Sequence, residues 1–545
     1  MKNSVGSRDL KCDITCPPGR VPRFGRFGMR YYLSPRQGST SPLCLACGYR
    51  KEDASLVVNT KRGIEDSIWG KLPISALFPI VAIIIGLLLG GMLGRLSPYA
   101  LSAVIGLIIM TLITILRQDA LAAALVVVAH IYVDWYLGLL FAAQVITLLL
   151  LVIYFLARSL ERPWGKPHAL WLWFLFLLLG IYPTIRGTTR LYDLGFYYPN
   201  IIGGALLTFW LGTVIAKDVL SVRRFFQILA IIAALLAIHT IIQALTGNVL
   251  FGSSRFDAYI ASRGGYTLVT GLDIHRVGSF FEDPNWNGTF FTTMLFLPLG
   301  LFMESSSVQG KILHLAEVLI ILPALLFTYS GGAWVGVLGG LVVFLILLGR
   351  SRNSVLLSSL LGLVALLGTV FFPSQINLQL QHGTNPLELS LRVGAWQTGL
   401  NVIQAFPLTG VGLGFDVYIQ RAEPYRVAAQ YLQLSHPHNS FIEIGAKAGL
   451  PVLAVFIALL SFNLWQALRN RALLNTERRI LLSAGIAAIV ALSVNSFSIN
   501  AWTLPPLAAA GWIILGVISS PSLRKSLMNE RQANKVLLAS DTSDA

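Results

Sequence analysis

The stretch GGAWVGVLGGLVVFLILLG, residues 331–349, holds no charged side chain and ends against Arg350 and Arg352. A helix needs about 20 apolar residues to cross the hydrocarbon of a bilayer. Runs of this kind repeat from Pro73 almost to residue 520. They lie at about 73–94, 98–116, 119–134, 138–157, 168–184, 200–216, 224–245, 286–303, 312–329, 331–349, 354–372, 449–467, 480–498 and 504–520. The third is short, so the expected count is 12–14 spans. Composition agrees: the 545 residues are 55% hydrophobic and 12% charged, with a mean hydropathy of +0.69. A soluble domain carries roughly 25% charged residues. In lipid every backbone group must find its partner internally, and a helix does this within one segment. The fold class read from these runs is an all-α polytopic transmembrane bundle.

The net charge of +16 does not point to nucleic acid, because the Lys and Arg lie mainly in tails and short turns. Lys and Arg favour cytoplasmic loops, and the turns after alternate spans hold Arg117, then Arg158, Arg162 and Lys166, then Lys217, Arg223 and Arg224. Later turns of the same parity hold Lys311, then Arg350 and Arg352, then Arg469, Arg471, Arg478 and Arg479. This bias puts both termini in the cytoplasm and two long loops outside, at about 247–285 and 373–448. Residues 1–72 read as a basic cytoplasmic tail without a secretory signal, and 73–520 as one transmembrane domain. The stretch 521–545 reads as a polar cytoplasmic tail, disordered from Arg524 to Ala545. The four cysteines, Cys12, Cys16, Cys44 and Cys47, fit no zinc ribbon well by spacing, and no metal site is assigned.

Ionisable residues inside the spans are few. His130 with Asp134, and His314 with Glu317, each share a helical face and read as local pairs. A coupled carrier is expected to place charges near the bilayer midplane. The first outer loop ends with Arg276, Glu282, Asp283, Pro284 and Asn285, where the Asp-Pro-Asn turn opens the next span. In the second, Leu389, Val393, Trp396, Leu400 and Ile403 recur at helical spacing. They predict an amphipathic helix on the membrane surface or on the bundle, with Arg392 beside the stripe. The run Gly410-Val-Gly412-Leu-Gly414 lacks the strand that a phosphate cradle needs and reads as a tight turn. Ser440 three before Glu443, after Pro437, reads as a helix start. That places His438 just before a helix N-terminus, whose positive end disfavours imidazolium. A neutral imidazole is what a general base requires, and an interfacial capping histidine fits the pattern equally. Arginines are frequent throughout the chain, so those of the outer loops carry no separate weight.

His438-Asn439 followed at a distance by Gly449, after a long outer loop, resembles the signature of the bacterial O-antigen ligase and polymerase family. Three further pieces agree in order: Arg276 with Gly278, Phe280, Pro284 and Asn285; Thr328-Tyr-Ser330-Gly-Gly-Ala-Trp334; and Arg392 through Trp396 to Gly410-Val-Gly412. The resemblance implies a multi-span, GT-C-like glycosyltransferase of the inner membrane. It implies a glycan taken from undecaprenyl diphosphate on the outer face and passed to a lipid A-core sugar by a ligase. A polymerase passes it to another lipid-linked repeat. Carried over, His438 is the catalytic base; Arg276 and Arg392 hold the diphosphate; Asn439 and Asn285 complete the substrate contacts; neither a metal nor another cofactor is needed. This chain has Gly331 where the family often has arginine, and Leu-Pro-Val-Leu after Gly449. His436 is an extra candidate base. An inorganic-carbon transporter is the reading from a different class, and the His438-Asn439 pair speaks against it.

Overall fold

The computed structural model describes residues 119–131, 167–188, 202–247, 276–281, 283–349, 352–427, 436–475 and 478–543. The N-terminal tail, its four cysteines and the candidate spans at 73–94, 98–116 and 138–157 lie outside the described residues. Seventeen α-helices follow, with no strand among the described residues. The first four are α1 (Asp119–Ile131), α2 (Leu170–Gly187), α3 (Gly204–Ile215) and α4 (Val219–Thr246). Then come α5 (Pro284–Met294), α6 (Phe296–Glu304), α7 (Val308–Phe327), α8 (Gly331–Leu348), α9 (Arg352–Phe371) and α10 (Pro373–Gly383). The next are α11 (Pro386–Ala405), α12 (Phe415–Ala422) and α13 (Ser440–Ala448). The last are α14 (Leu450–Ala472), α15 (Arg479–Asn495), α16 (Pro505–Ser519) and α17 (Pro521–Ser543).

Six helical segments of the described residues are long and apolar enough to cross a membrane: α2, α4, α7, α8, α14 and Pro505–Ala533. The chain is an all-α polytopic membrane protein. Its outward faces are apolar, as lipid contact requires: Val335, Leu338, Val342 and Ile346 form one exposed stripe on α8, and Phe174, Leu178, Ile181 and Ile185 another on α2. The expected span at 286–303 divides at Leu295 into α5 and α6. Pro298 has no N–H to donate back along the helix, which loosens the ladder at that turn.

Between helices, small residues replace the hydrophobic driving force that lipid removes. Gly332, Gly336 and Gly340 recur every fourth residue on α8, facing α15; a Cβ on Gly336 would lie 2.8 Å from the Ala491 carbonyl oxygen. Where α3 meets α16, a Cβ on Gly212 would lie 2.2 Å from the Ile513 carbonyl oxygen, and one on Gly516 would lie 2.1 Å from that of Phe209. Aromatic rings fill the wider gaps, with Trp173, Phe209 and Trp512 in mutual contact in the core.

His314 Nδ1 lies 2.7 Å from Glu317 Oε2, the expected local pair. His130 Nδ1 instead bonds the Val126 carbonyl at 2.7 Å, and Asp134 lies outside the described residues. The expectation of a disordered C-terminal tail is corrected. Pro521–Ser543 is helical, because its first turns are not polar all round: Leu523 and Leu527 are buried. Arg524 Nη1 donates to Gln466 Oε1 at 3.1 Å, and Arg478 pairs with Glu530 at 2.6 Å.

The backbone contact at Gly212 leaves no room for a side chain. Gly212→Val is expected to destabilise the protein by about 1–3 kcal/mol, the usual cost of overpacking. Gly362→Ala, where a Cβ meets nothing within 4 Å, is expected to leave stability unchanged or slightly raised. Thermal unfolding in one detergent checks both, and equal losses would contradict the packing described.

Candidate functional site

The segment Arg276–Phe281 is anchored from three helices. The Val277 N–H donates to the Phe327 carbonyl at 3.3 Å, and Asn287 Nδ2 donates to the Val277 carbonyl at 3.2 Å. The Ser279 N–H donates to Gln243 Oε1 at 2.9 Å, and His239 hydrogen-bonds Ser279 Oγ at 2.7 Å while stacking on Phe280. Arg276 is thereby held almost fully buried. Its Nε donates to the Thr328 carbonyl at 3.1 Å and its Nη2 to Asn285 Oδ1 at 2.7 Å. Glu282 lies outside the described residues. Asp283 instead caps α5, accepting from the Asn285 N–H at 2.7 Å. Asn285, expected as a substrate contact, therefore holds Arg276 in place.

Arg392 lies on α11, which packs against α13. The expected amphipathic stripe divides in an unexpected way. Ala395, Gly399 and Val402 form the buried face, whereas Leu389, Val393 and Leu400 are exposed. The small residues let α11 approach closely: a Cβ on Gly399 would meet Ile442 at 2.5 Å and Pro437 at 3.0 Å. Arg392 is half-buried on the inner side. Its Nη1 donates to the Ser498 carbonyl at 2.8 Å, and its Nε lies 3.8 Å from Glu388 Oε2.

His438 precedes α13 in a left-handed conformation, φ 51°. Trp396 Nε1 donates to its carbonyl at 3.4 Å, and its N–H donates to His436 Nδ1 at 3.2 Å. Asn439 is the N-cap, its Oδ1 accepting from the N–H groups of Phe441 and Ile442 at 3.0 and 3.1 Å. The expected helix start is present at Ser440, but its capping departs from the Ser-x-x-Glu pattern. Ser440 is not the cap; its Oγ donates to the Ile499 carbonyl and accepts from the Trp502 N–H. Glu443 does not reach back to the helix start. It pairs with Lys447 at 2.5 Å and accepts from Thr503 Oγ1 at 2.8 Å, wholly inside the protein. The glycine run is the expected turn. The N–H groups of Val411 and Gly412 donate to the carbonyls of Ala446 and Lys447, so they are unavailable to phosphate.

The three segments meet electrostatically. The charge of Arg276 acts on Arg392, and the charge of Arg392 acts on His438. Burial foremost, with Arg276 adding, disfavours the charged form of Arg392 against the opposing pull of Glu388 and Asp283. A guanidinium stays protonated regardless. Burial, then His436 and Arg392, hold His438 well below its ordinary value, with Glu443 pulling the other way. The expected neutral imidazole follows, and burial is the larger cause. His436 is pushed down to about 3 by burial and by Lys447. No cluster of three His, Cys, Asp or Glu able to hold a metal occurs among the described residues.

Sequence reasoning missed the linker between α15 and α16, whose carbonyls receive both Arg392 and Ser440. It also missed His382 at the end of α10. The linker has no motif, since it acts through its backbone. Among the described residues, then, this is a helical membrane protein with a cationic, histidine-bearing site on the segments between its spans. Residues 316–457, a segment of the 545-residue chain, match the family model described as O-antigen ligase. Its members are enzymes acting on glycans; the matched segment contains Arg392 and His438 but not Arg276. No curated protein matches the chain.

Because Asn439 Oδ1 caps α13 and His438 is set by that cap, Asn439→Ala is expected to cost about 1 kcal/mol and to lower activity with it. Asn439→Asp keeps an acceptor and is expected to retain stability. Unfolding and turnover measured on both variants check this, and an Ala variant as stable as wild type would contradict the capping role.

Proposed function

We propose that this protein is a ligase-type glycosyltransferase. It moves a glycan from undecaprenyl diphosphate to a lipid A-core sugar at the outer face of the inner membrane, without a metal. The observation that carries the reading is the convergence of Arg276, Arg392 and a neutral His438 from three distant segments into one electrostatic neighbourhood. A diphosphate is an anion that two neighbouring guanidiniums attract, and arginine binds it in a fork. The acceptor hydroxyl oxygen attacks the anomeric carbon of the donor sugar while His438 takes its proton. The bond from that carbon to the diphosphate oxygen breaks, and the electron pair leaves with undecaprenyl diphosphate. A single displacement of this kind inverts the anomeric configuration.

The low proton affinity of His438 looks unsuited to a base, since a base works best near the ambient pH. Bound diphosphate offsets Arg392, one of the charges that depress it. Basicity therefore rises in the complex, where it is needed. In the free enzyme the neutral imidazole persists across neutral pH and is lost only as pH falls through its lowered value.

The decisive measurement is a lipopolysaccharide gel from a strain that depends on His438→Ala. Lipid A-core without long glycan, and polymer retained on the carrier lipid, is the expected result. Normal long glycan on lipid A sinks the proposal, and lipid A bearing a single repeat identifies a polymerase instead. Arg392→Lys keeps the charge and loses the fork. It is expected to reduce kcat/KM about ten- to hundredfold, the size of a charge-assisted hydrogen bond; full activity in this variant contradicts bidentate contact.

A further inference from the structure

His382 lies in the last turn of α10 and is 5% exposed. Its Nδ1 is buried and has no hydrogen-bond partner among the described residues. Leaving a buried polar atom unpaired is costly, so such an atom calls for an explanation. The charged groups acting on it are those of the proposed site: Arg276 and Arg392 oppose its protonation, and Glu388 favours it. Among the described residues, α7, α8 and α9 pack against α10. α8 has no ionisable residue, and Lys311, His314 and Glu317 lie in the half of α7 remote from α10. Arg352 starts α9, a helix away from its junction with α10. The loop between α7 and α8 brings Tyr329, whose hydroxyl burial keeps protonated.

We propose that His382 is a third ligand for the donor's diphosphate, taking a proton from solvent as the diphosphate enters and donating a hydrogen bond to it. The proposal rests on the reading of Arg276 and Arg392 as diphosphate ligands. In the empty site, burial and the two guanidiniums hold the imidazole down to about 4, so it is neutral. A dianion cancels those charges. The carbonyl end of α10 favours a cation there as well, so the proton affinity of His382 rises on binding. When the sugar–oxygen bond breaks, the leaving diphosphate gains a further negative charge, which the imidazolium then faces.

The sign of the pH dependence follows. Between the free and the bound value, binding takes up a proton, so donor affinity falls as pH rises. Wild type, His382→Gln, and His382→Gln combined with Gly331→Arg are compared as full chains in nanodiscs, with undecaprenyl diphosphate as the probe. His382→Gln is expected to weaken binding about tenfold at the acid end and to flatten the pH slope. Gly331 starts α8, and a Cβ there would lie 3.6 Å from Gly383 Cα, ordinary contact beside His382. A permanent charge added at that position is expected to restore affinity without restoring the slope. Unchanged affinity and slope in His382→Gln overturn the inference. So does weakened binding that keeps the wild-type slope, which is what a merely structural histidine produces. Arg276→Ala and Arg392→Ala separate the two readings. If they bind the probe normally, the diphosphate assignment itself fails. If they lose it while His382→Gln does not, only the role of His382 fails.

Discussion

The site depends on one short buried linker, the residues between Asn495 and Pro505 that join α15 to α16. Its carbonyls do what no side chain nearby does. Those of Ser496 and Ile499 accept from the Ser440 N–H at 2.9 and 3.2 Å, and that of Ser498 accepts from Arg392 at 2.8 Å. Asn495 continues the path, donating to Thr289 Oγ1 at 2.7 Å, while Thr289 donates to the Asn285 carbonyl at 2.6 Å. Asn285 in turn holds Arg276. A chain of hydrogen bonds therefore joins both arginines and the helix behind His438. Ser440, Thr289, Asn495 and Ser496 are buried, so a hydrogen bond broken in this path has no water to replace it.

The same burial that fixes the geometry sets the charge. Arg276 donates to the Thr328 carbonyl and to Asn285 Oδ1, and Arg392 to the Ser498 carbonyl, neutral acceptors that orient a guanidinium without cancelling it. Glu388 and Asp283 compensate in part. Glu443, which a simple count would add to the balance, is already committed to Lys447. The two guanidiniums stay charged, and the imidazoles of His382 and His438 are held neutral in the free protein. Two charged guanidiniums beside neutral imidazoles are what the proposed diphosphate binding calls for, and they favour the proposed transfer chemistry over carbon transport.

The membrane architecture was legible because apolar run length reports one physical requirement directly. Eleven of the fourteen candidate runs coincide with described helices, and the other three lie outside the described residues. Arg276, Arg392 and His438 were singled out from local pattern and resemblance, but their convergence was not legible, since it is made by backbone carbonyls at Thr328 and Ser498. The stripe on α11 misled for a related reason. Periodicity finds the apolar side of a helix, and in lipid that side faces outward as readily as inward, while Gly399 and Ala395 mark the packed side. Asn439 shows the limit of a motif: the pattern marks the position, and the structure supplies a capping role the pattern does not contain.

Three non-glycine residues at the site hold positive φ: Ser279 at 52°, Tyr329 at 48° and His438 at 51°. Each is one link from a candidate group: Ser279 in the segment that carries Arg276, Tyr329 beside the carbonyl that receives it, His438 as the base. Conformations of this kind cost of order 1 kcal/mol or more each and persist only where surrounding contacts over-determine them. Those contacts are present as the Gln243 amide at Ser279, the α7 terminus at Tyr329 and the Asn439 cap after His438. The strain is thus met before any ligand arrives. The arginines and the imidazole are held in place by the fold, so the proposed diphosphate ligand would have only charge left to supply.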